Sequence, residues 1–102
     1  MFKLNVSDRA ESDFEKIIAY YAEELEMPQA ATSFSDKVYK CYEQLQSNPF
    51  LYAECFDPRL KKDGFRRAIV KDYVLLFKIF EQQNSVIVYR FFHGSQNYVN
   101  LL

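Results

Sequence analysis

The chain has 102 residues, 49% apolar and 18% aromatic; that composition supports one globular core, expected to be a single domain over 1–102, and excludes a disordered chain. Its net charge of −1 excludes the uniformly basic field of a strong nucleic-acid binder. No apolar run approaches the roughly 20 residues that span a bilayer, and the opening MFKLNVSDRAE lacks the apolar stretch of a signal peptide, so a cytoplasmic protein is expected.

In FKLNV, residues 2–6, Phe2, Leu4 and Val6 alternate with polar residues, which predicts a short strand. Asp8 with Glu11 reads as a capping box, so a helix is expected over 8–26, with Ala10, Phe14, Ile17, Ile18, Tyr21 and Leu25 at helical spacing. Pro28 suits the first turn of a second helix. Ala31, Phe34, Val38, Cys41, Tyr42 and Leu45 form its apolar stripe, and Asn48-Pro49 ends it. Two helices joined so closely fold back as an antiparallel hairpin. Residues 49–63 have no clean period and read as an irregular connection, a length often kept for function.

Three strand-like runs follow: FRRAIVK (65–71), VLLFKIF (74–80) and VIVYRFF (86–92), separated by short polar turns. They predict an antiparallel meander. The expected fold is therefore α+β in the order β-αα-βββ: a small, curved, antiparallel-rich sheet, the 2–6 strand adjoining it, and the helical hairpin on one face. Phe14, Ile17, Ile18, Tyr21, Phe34, Val38, Leu45, Leu75, Phe77, Ile79, Ile87, Tyr89 and Phe91 are the expected core. Simple alternation then puts Val74, Leu76 and Phe80 on the other face of the sheet, and Arg90 beside Val86, Val88 and Phe92. That second face is apolar too, and something must cover it: the C-terminal YVNLL in part, a partner for the rest.

Charge is segregated along the chain. Residues 1–56 carry five Lys/Arg and ten Asp/Glu; residues 57–102 carry eight and four. The cations cluster in DPRLKKDGFRRAIVK, residues 57–71, which holds Arg59, Lys61, Lys62, Arg66 and Arg67. Arg66 and Arg67 point to opposite faces of their strand. Arg90 in an apolar strand must reach water or an anion: a substrate phosphate, a partner's carboxylate, or an Asp or Glu of the same chain. His93 is the sole histidine and the only side chain whose ordinary pKa suits acid–base work near neutrality. Gly94 directly after it is expected to supply a turn with positive φ. Cys41 and Cys55 sit among apolar neighbours and read as small buried hydrophobes. They form no metal-ligand pattern with His93, so no metal and no cofactor are expected.

These elements and residues resemble the RelE/ParE toxins of bacterial type II toxin–antitoxin systems. AESDFEKIIAYY is similar to the family's first helix, and LQSNPFLYAE to its helix end and following turn. GFRRAIVKDYVLLFKIFEQQNSVIVYRFFHG carries the more specific part, in which Gly64, Phe65, Arg66 or Arg67, Tyr73, Arg90, His93 and Gly94 follow the family's order and spacing. The resemblance implies a toxin that inhibits growth, often from a plasmid-stabilising system, bound by a cognate antitoxin in a hetero-oligomer. It covers nearly the whole chain.

The superfamily holds two chemistries. RelE-like members are ribosome-dependent mRNA endonucleases needing no metal; for them the resemblance implies a catalytic set of His93, Arg90, Arg67 and Tyr98. ParE-like members inhibit DNA gyrase and cut nothing. In ribonuclease members the residue opening the middle strand is commonly followed by a catalytic arginine, whereas here Tyr73 precedes Val74, which offers no charge to an anionic transition state. The reading therefore leans to the ParE-like branch, with Arg59, Lys61, Lys62, Arg66, Arg67 and Arg90 as the surface for antitoxin or target, and with ribosome-dependent mRNA cleavage, or an inactive relic that only binds its antitoxin, as the alternatives.

Overall fold

The computed structural model describes residues 1–102. Alternation in KLNV produces β1 (Lys3–Val6), whose Leu4 and Val6 join the core while Lys3 and Asn5 stay exposed. The chain passes at once into α1 (Asp8–Ala19). Its cap is Ser7, not the expected Asp8–Glu11 box: Ser7 keeps an extended backbone, and its hydroxyl accepts from the Ala10 N–H at 3.1 Å. The expected 8–26 helix also changes character, closing in a wider π-helical turn over Tyr20–Glu24 before Glu26 takes a left-handed φ of 50°. α2 (Pro28–Ser47) starts on its proline as expected.

The 49–63 connection is more ordered than its lack of period implied. It contains a 3-10 turn at Pro49–Leu51, a bridge from Glu54 to Arg66, and the short helix α3 (Pro58–Lys62). Asp57 caps α3, accepting from the N–H groups of Arg59 at 2.9 Å and Leu60 at 3.3 Å. Gly64, at φ 88°, lets the chain leave it for the sheet. A helix of one turn is too short to show a period.

β2 (Phe65–Val70), β3 (Tyr73–Phe80) and β4 (Ser85–His93) form the expected meander, and β1 adds to β4 in parallel, giving the order β1-β4-β3-β2. β3 is central, and Tyr73 through Phe77 are all buried. Ala68, Val70, Tyr73, Leu75 and Phe77 face the helices. Phe34 of α2 seats its ring 5.4 Å from Tyr73, 5.9 Å from Phe14 and 5.8 Å from Tyr21, tying both helices to the sheet.

Simple alternation fails in β4. Leu76 lies opposite Arg90 but Phe77 lies opposite Val88, leaving Tyr89 as an extra residue in a β-bulge. The faces change over there. Val86, Val88 and Phe91 belong to the helix-side core, whereas Ile87 pairs with Lys78 on the other face and Tyr89 packs there against Phe65 at 5.4 Å. Ile87 and Tyr89 are thus not in the main core, and Val86 and Val88 are not on the open face.

That second face is covered by a smaller cluster of Cys55, Leu60, Phe65, Val74, Leu76 and Phe92. The C-terminal tail contributes as expected: Tyr98 stacks on Phe92 at 5.6 Å and 14°, with Val99 beside it. α3 contributes Leu60, which periodicity did not foretell. Gly94 does not take a positive φ. Its N–H donates to the Asp72 carbonyl at 2.8 Å, and a Cβ there would lie 3.3 Å from that oxygen. Close approach, not backbone handedness, is what requires glycine. No helix is long and apolar enough to cross a membrane.

Candidate functional site

β1 ends at Val6, so β4 beyond Val88 has no neighbouring strand on that side. The chain running into α1 satisfies this bare edge. The Ser7 N–H donates to the Val88 carbonyl at 2.9 Å and its hydroxyl to the Tyr89 carbonyl at 2.8 Å. Six residues on, the Asp13 carboxylate accepts the Phe91 N–H at 3.0 Å and the Arg90 Nε and Nη2 at 2.7 and 3.1 Å. This is a forked, charge-assisted pair, with both side chains about one-seventh exposed: 15% for Arg90 and 14% for Asp13. Of the anions open to Arg90, the chain supplies its own. The guanidinium also lies 4.5 Å from the Phe92 ring centre.

Two clefts flank Arg90. One, about 300 Å³, is bounded by Arg9, Asp13 and Lys16 of α1 and by Tyr73, Arg90 and His93 of the sheet. Here His93 and Arg90 meet beside α1, Arg90 at the edge of β4 between the two faces of the sheet. The Ser95 N–H donates to His93 Nδ1 at 3.1 Å, and the Ser95 hydroxyl lies 2.7 Å from the same nitrogen. In the neutral ring the proton therefore sits on Nε2. The ring is exposed and stands edge-on to Tyr73 at 5.2 Å. The other cleft, about 570 Å³, is shared by Arg9, Arg59, Phe65, Tyr89, Arg90 and Val99 among others.

The remaining members of the expected catalytic set lie elsewhere. Arg67, on β2, holds its guanidinium 4.3 Å from the centre of the Phe56 ring, with a buried Nε that has no hydrogen-bond partner. Tyr98 is committed to its stack on Phe92. Arg66 points to the opposite face, as expected, and donates to the Tyr52 carbonyl at 2.6 Å, pinning the connection before β2. Arg59, Lys61 and Lys62 are exposed on α3; of these only Arg59 has a carboxylate nearby, Asp57 at 3.7 Å. Burial pushes both cysteine thiols up: Cys41 against a hydrogen bond from Tyr52, Cys55 against the pull of Arg67. Neither is an activated nucleophile. No group of three or more His, Cys, Asp or Glu side chains could hold a metal ion.

A family model described as the ParE toxin of the type II toxin–antitoxin system parDE matches residues 4–98. The chain belongs to the ParE toxin family. Solved structures agree in fold. A chain of the chromosomal ParDE system from P. aeruginosa superposes with a TM-score of 0.71 at 18% identity, over 91% of this chain and 96% of that one. A conserved hypothetical protein from Helicobacter pylori gives 0.54 at 18% identity, over 94% and 98%. A comparison with curated proteins gives no match.

In this ParE-family chain the position after Tyr73 is taken up by packing. Val74 is buried in the second-face cluster opposite Phe92. Asp13 escaped the sequence reading, although a signal was there. It lies three residues after Ala10 and four before Ile17, both buried. An acid on that stripe needs a cation, and Arg90 stands in an apolar strand with no anion beside it in sequence.

Proposed function

We propose that this chain is the toxin of a type II toxin–antitoxin pair, that it arrests growth by binding DNA gyrase without cutting RNA, and that a cognate acidic antitoxin neutralises it. Membership of the ParE family over residues 4–98 carries this reading. The geometry supports it. The groups a ribonuclease would gather are dispersed: Arg90 is neutralised by Asp13, Arg67 sits over Phe56, and Tyr98 stacks on Phe92.

Purified protein is expected to inhibit supercoiling by gyrase and to leave RNA intact, both naked and on translating ribosomes. The cleft holding His93, Arg90, Arg9 and Lys16 favours one other reading, a ribosome-dependent endonuclease. Cleavage of mRNA within ribosomes, abolished by His93→Ala, with gyrase unaffected, would replace the first reading with the second.

For the antitoxin, the free cations decide where an acidic segment can first engage. Arg66 and Arg90 are occupied within the chain and Arg67 lies over Phe56, which leaves Lys61 and Lys62, with Arg59 held only in a long, exposed pair to Asp57, on α3 beside Phe56 at 84% exposed. An acidic, amphipathic segment that folds on binding suits such a surface. Reversing all three to Glu is expected to slow association with the cognate antitoxin by about tenfold or more at low salt and to flatten the salt dependence. Stopped-flow mixing across a salt series measures both, and an unchanged rate and slope would place the steering charge elsewhere.

A further inference from the structure

A third cleft, about 420 Å³, opens on the outer side of the helical layer, between α1 and α2 at the end of β1. Six residues line it: Val6, Glu11, Phe14, Glu15, Tyr39 and Tyr42. Its polar members apart from the tyrosine hydroxyls are two carboxylates, one helical turn apart on α1. Like charges at that spacing oppose helix formation, and neither takes part in the chain's two ion pairs, Arg59–Asp57 and Arg90–Asp13.

The rings stand at steep angles to one another: Phe14 and Tyr39 at 6.3 Å and 69°, Tyr39 and Tyr42 at 6.0 Å and 89°. Walls of crossed rings backed by carboxylates attract a cation through ring faces and charge together. Burial pushes the Tyr42 hydroxyl up, and Cys41, Tyr39 and Glu11 add to it, so that ring stays neutral.

The chain has no cation of its own here. Its basic side chains that lie over rings do so on Phe50, Phe56, Tyr21, Phe65, Tyr89 and Phe92. The nearest cations in sequence line other clefts: Arg9 and Lys16 on the His93 side of α1, Lys37 and Lys40 beside Ile69. Yet Tyr39 is left 58% exposed, a large ring held at the mouth of the cleft.

We infer that the α1–α2 cleft is a docking site for an arginine side chain carried on an amphipathic segment of a partner protein, the guanidinium seated among Phe14, Tyr39 and Tyr42 and paired with Glu11 and Glu15. Arginine is favoured over lysine because its planar head stacks on rings and forks onto carboxylates. A polypeptide is the source because the cleft is a groove between two helices, where flanking apolar residues of the same segment add contact. This surface is acidic where the α3 surface is basic, so it receives a different part of a partner or a different partner. The inference does not depend on the toxin's target.

The test is aromatic ¹H–¹³C NMR of the full chain, titrated with a short acetylated, amidated peptide bearing a central arginine between leucines. Its citrulline analogue and butylguanidinium serve as the other probes. The Phe14, Tyr39 and Tyr42 rings are expected to shift saturably with the arginine peptide. Affinity should fall about tenfold or more for the citrulline peptide, for butylguanidinium, and for the arginine peptide on the Glu11→Gln/Glu15→Gln variant. Both glutamates are exposed, so the variant is expected to fold, with its melting curve as the check. Equal binding of the citrulline peptide, unchanged affinity in the double variant, or shifts confined to other rings would overturn the site. Butylguanidinium binding as tightly as the peptide would overturn the assignment to a polypeptide.

Discussion

Phe77→Ala is expected to lower the unfolding free energy by about 3–5 kcal/mol. Phe77 is 0% exposed at the centre of β3, between Arg66 on β2 and Val88 on β4, with the Tyr52 ring 5.8 Å away at 85°. Truncation removes a whole ring from a site walled by sheet on both sides and by α2 above. Strands locked in register cannot close on the void, so the cavity cost adds to the lost transfer energy. For a chain of this size the loss corresponds to a fall in melting temperature of at least about 12 °C. Phe77→Leu keeps much of the volume and is expected to cost clearly less. Urea unfolding with an unchanged slope reads both. A loss below about 1 kcal/mol for the alanine variant would mean that the site collapses freely and that the β3 packing is looser than its burial implies.

Phe77 was legible in the sequence because its surroundings repeat over long distances. Helical spacing over α1 with its closing π-helical turn and over the twenty residues of α2 marks Ile17, Tyr21, Phe34, Val38 and Leu45, all of which are buried; Phe14 and Ile18 pack against the core from its margin. β3 reads as central because it is apolar on both faces. β4 defeats the same logic. In VIVYRFF nearly every side chain suits a core, so inserting one residue at Tyr89 moves Val86 and Val88 to the helix face without leaving a trace in the hydrophobic pattern. The parallel pairing of β1 with β4 is a contact across some eighty residues, and local pattern says nothing about it.

The candidate site was legible in a similarly partial way. Arg90 and His93 stand out by chemistry alone, since a charge in an apolar strand and a single histidine are rare features of this chain. What each one touches depends on where α1 crosses the sheet. Only the fold brings Asp13 to the bare edge of β4, and that placement turns Arg90 from a free cation into half of a pair. Arg66 changes meaning likewise once the Tyr52 carbonyl lies within reach.

The Asp13–Arg90 pair yields the second large effect. Exposed ion pairs contribute about 0–1 kcal/mol, but this one is mostly withdrawn from water and the carboxylate also accepts the Phe91 N–H. Asp13→Ala would strip Arg90 of its counter-charge and leave a backbone donor on the bare edge of β4 unsatisfied. The expected cost is about 3 kcal/mol. Asp13→Asn, which keeps an acceptor but not the charge, should cost less. Arg90→Met, which retains the stem over Phe92 and leaves Asp13 its bond to Phe91, should also cost less than Asp13→Ala. In a double-mutant cycle by urea unfolding, Asp13→Ala and Arg90→Met should couple by more than about 1 kcal/mol. Coupling below about 0.5 kcal/mol would show that the pair behaves as a surface bridge. Arg90 would then be free to leave Asp13 for a phosphate or a partner's carboxylate, and its place among the binding cations would be restored. Strong coupling makes Arg90 part of the seam between α1 and β4, so that loss of toxicity in an Arg90 variant would have to be separated from loss of fold before the arginine is assigned to the target.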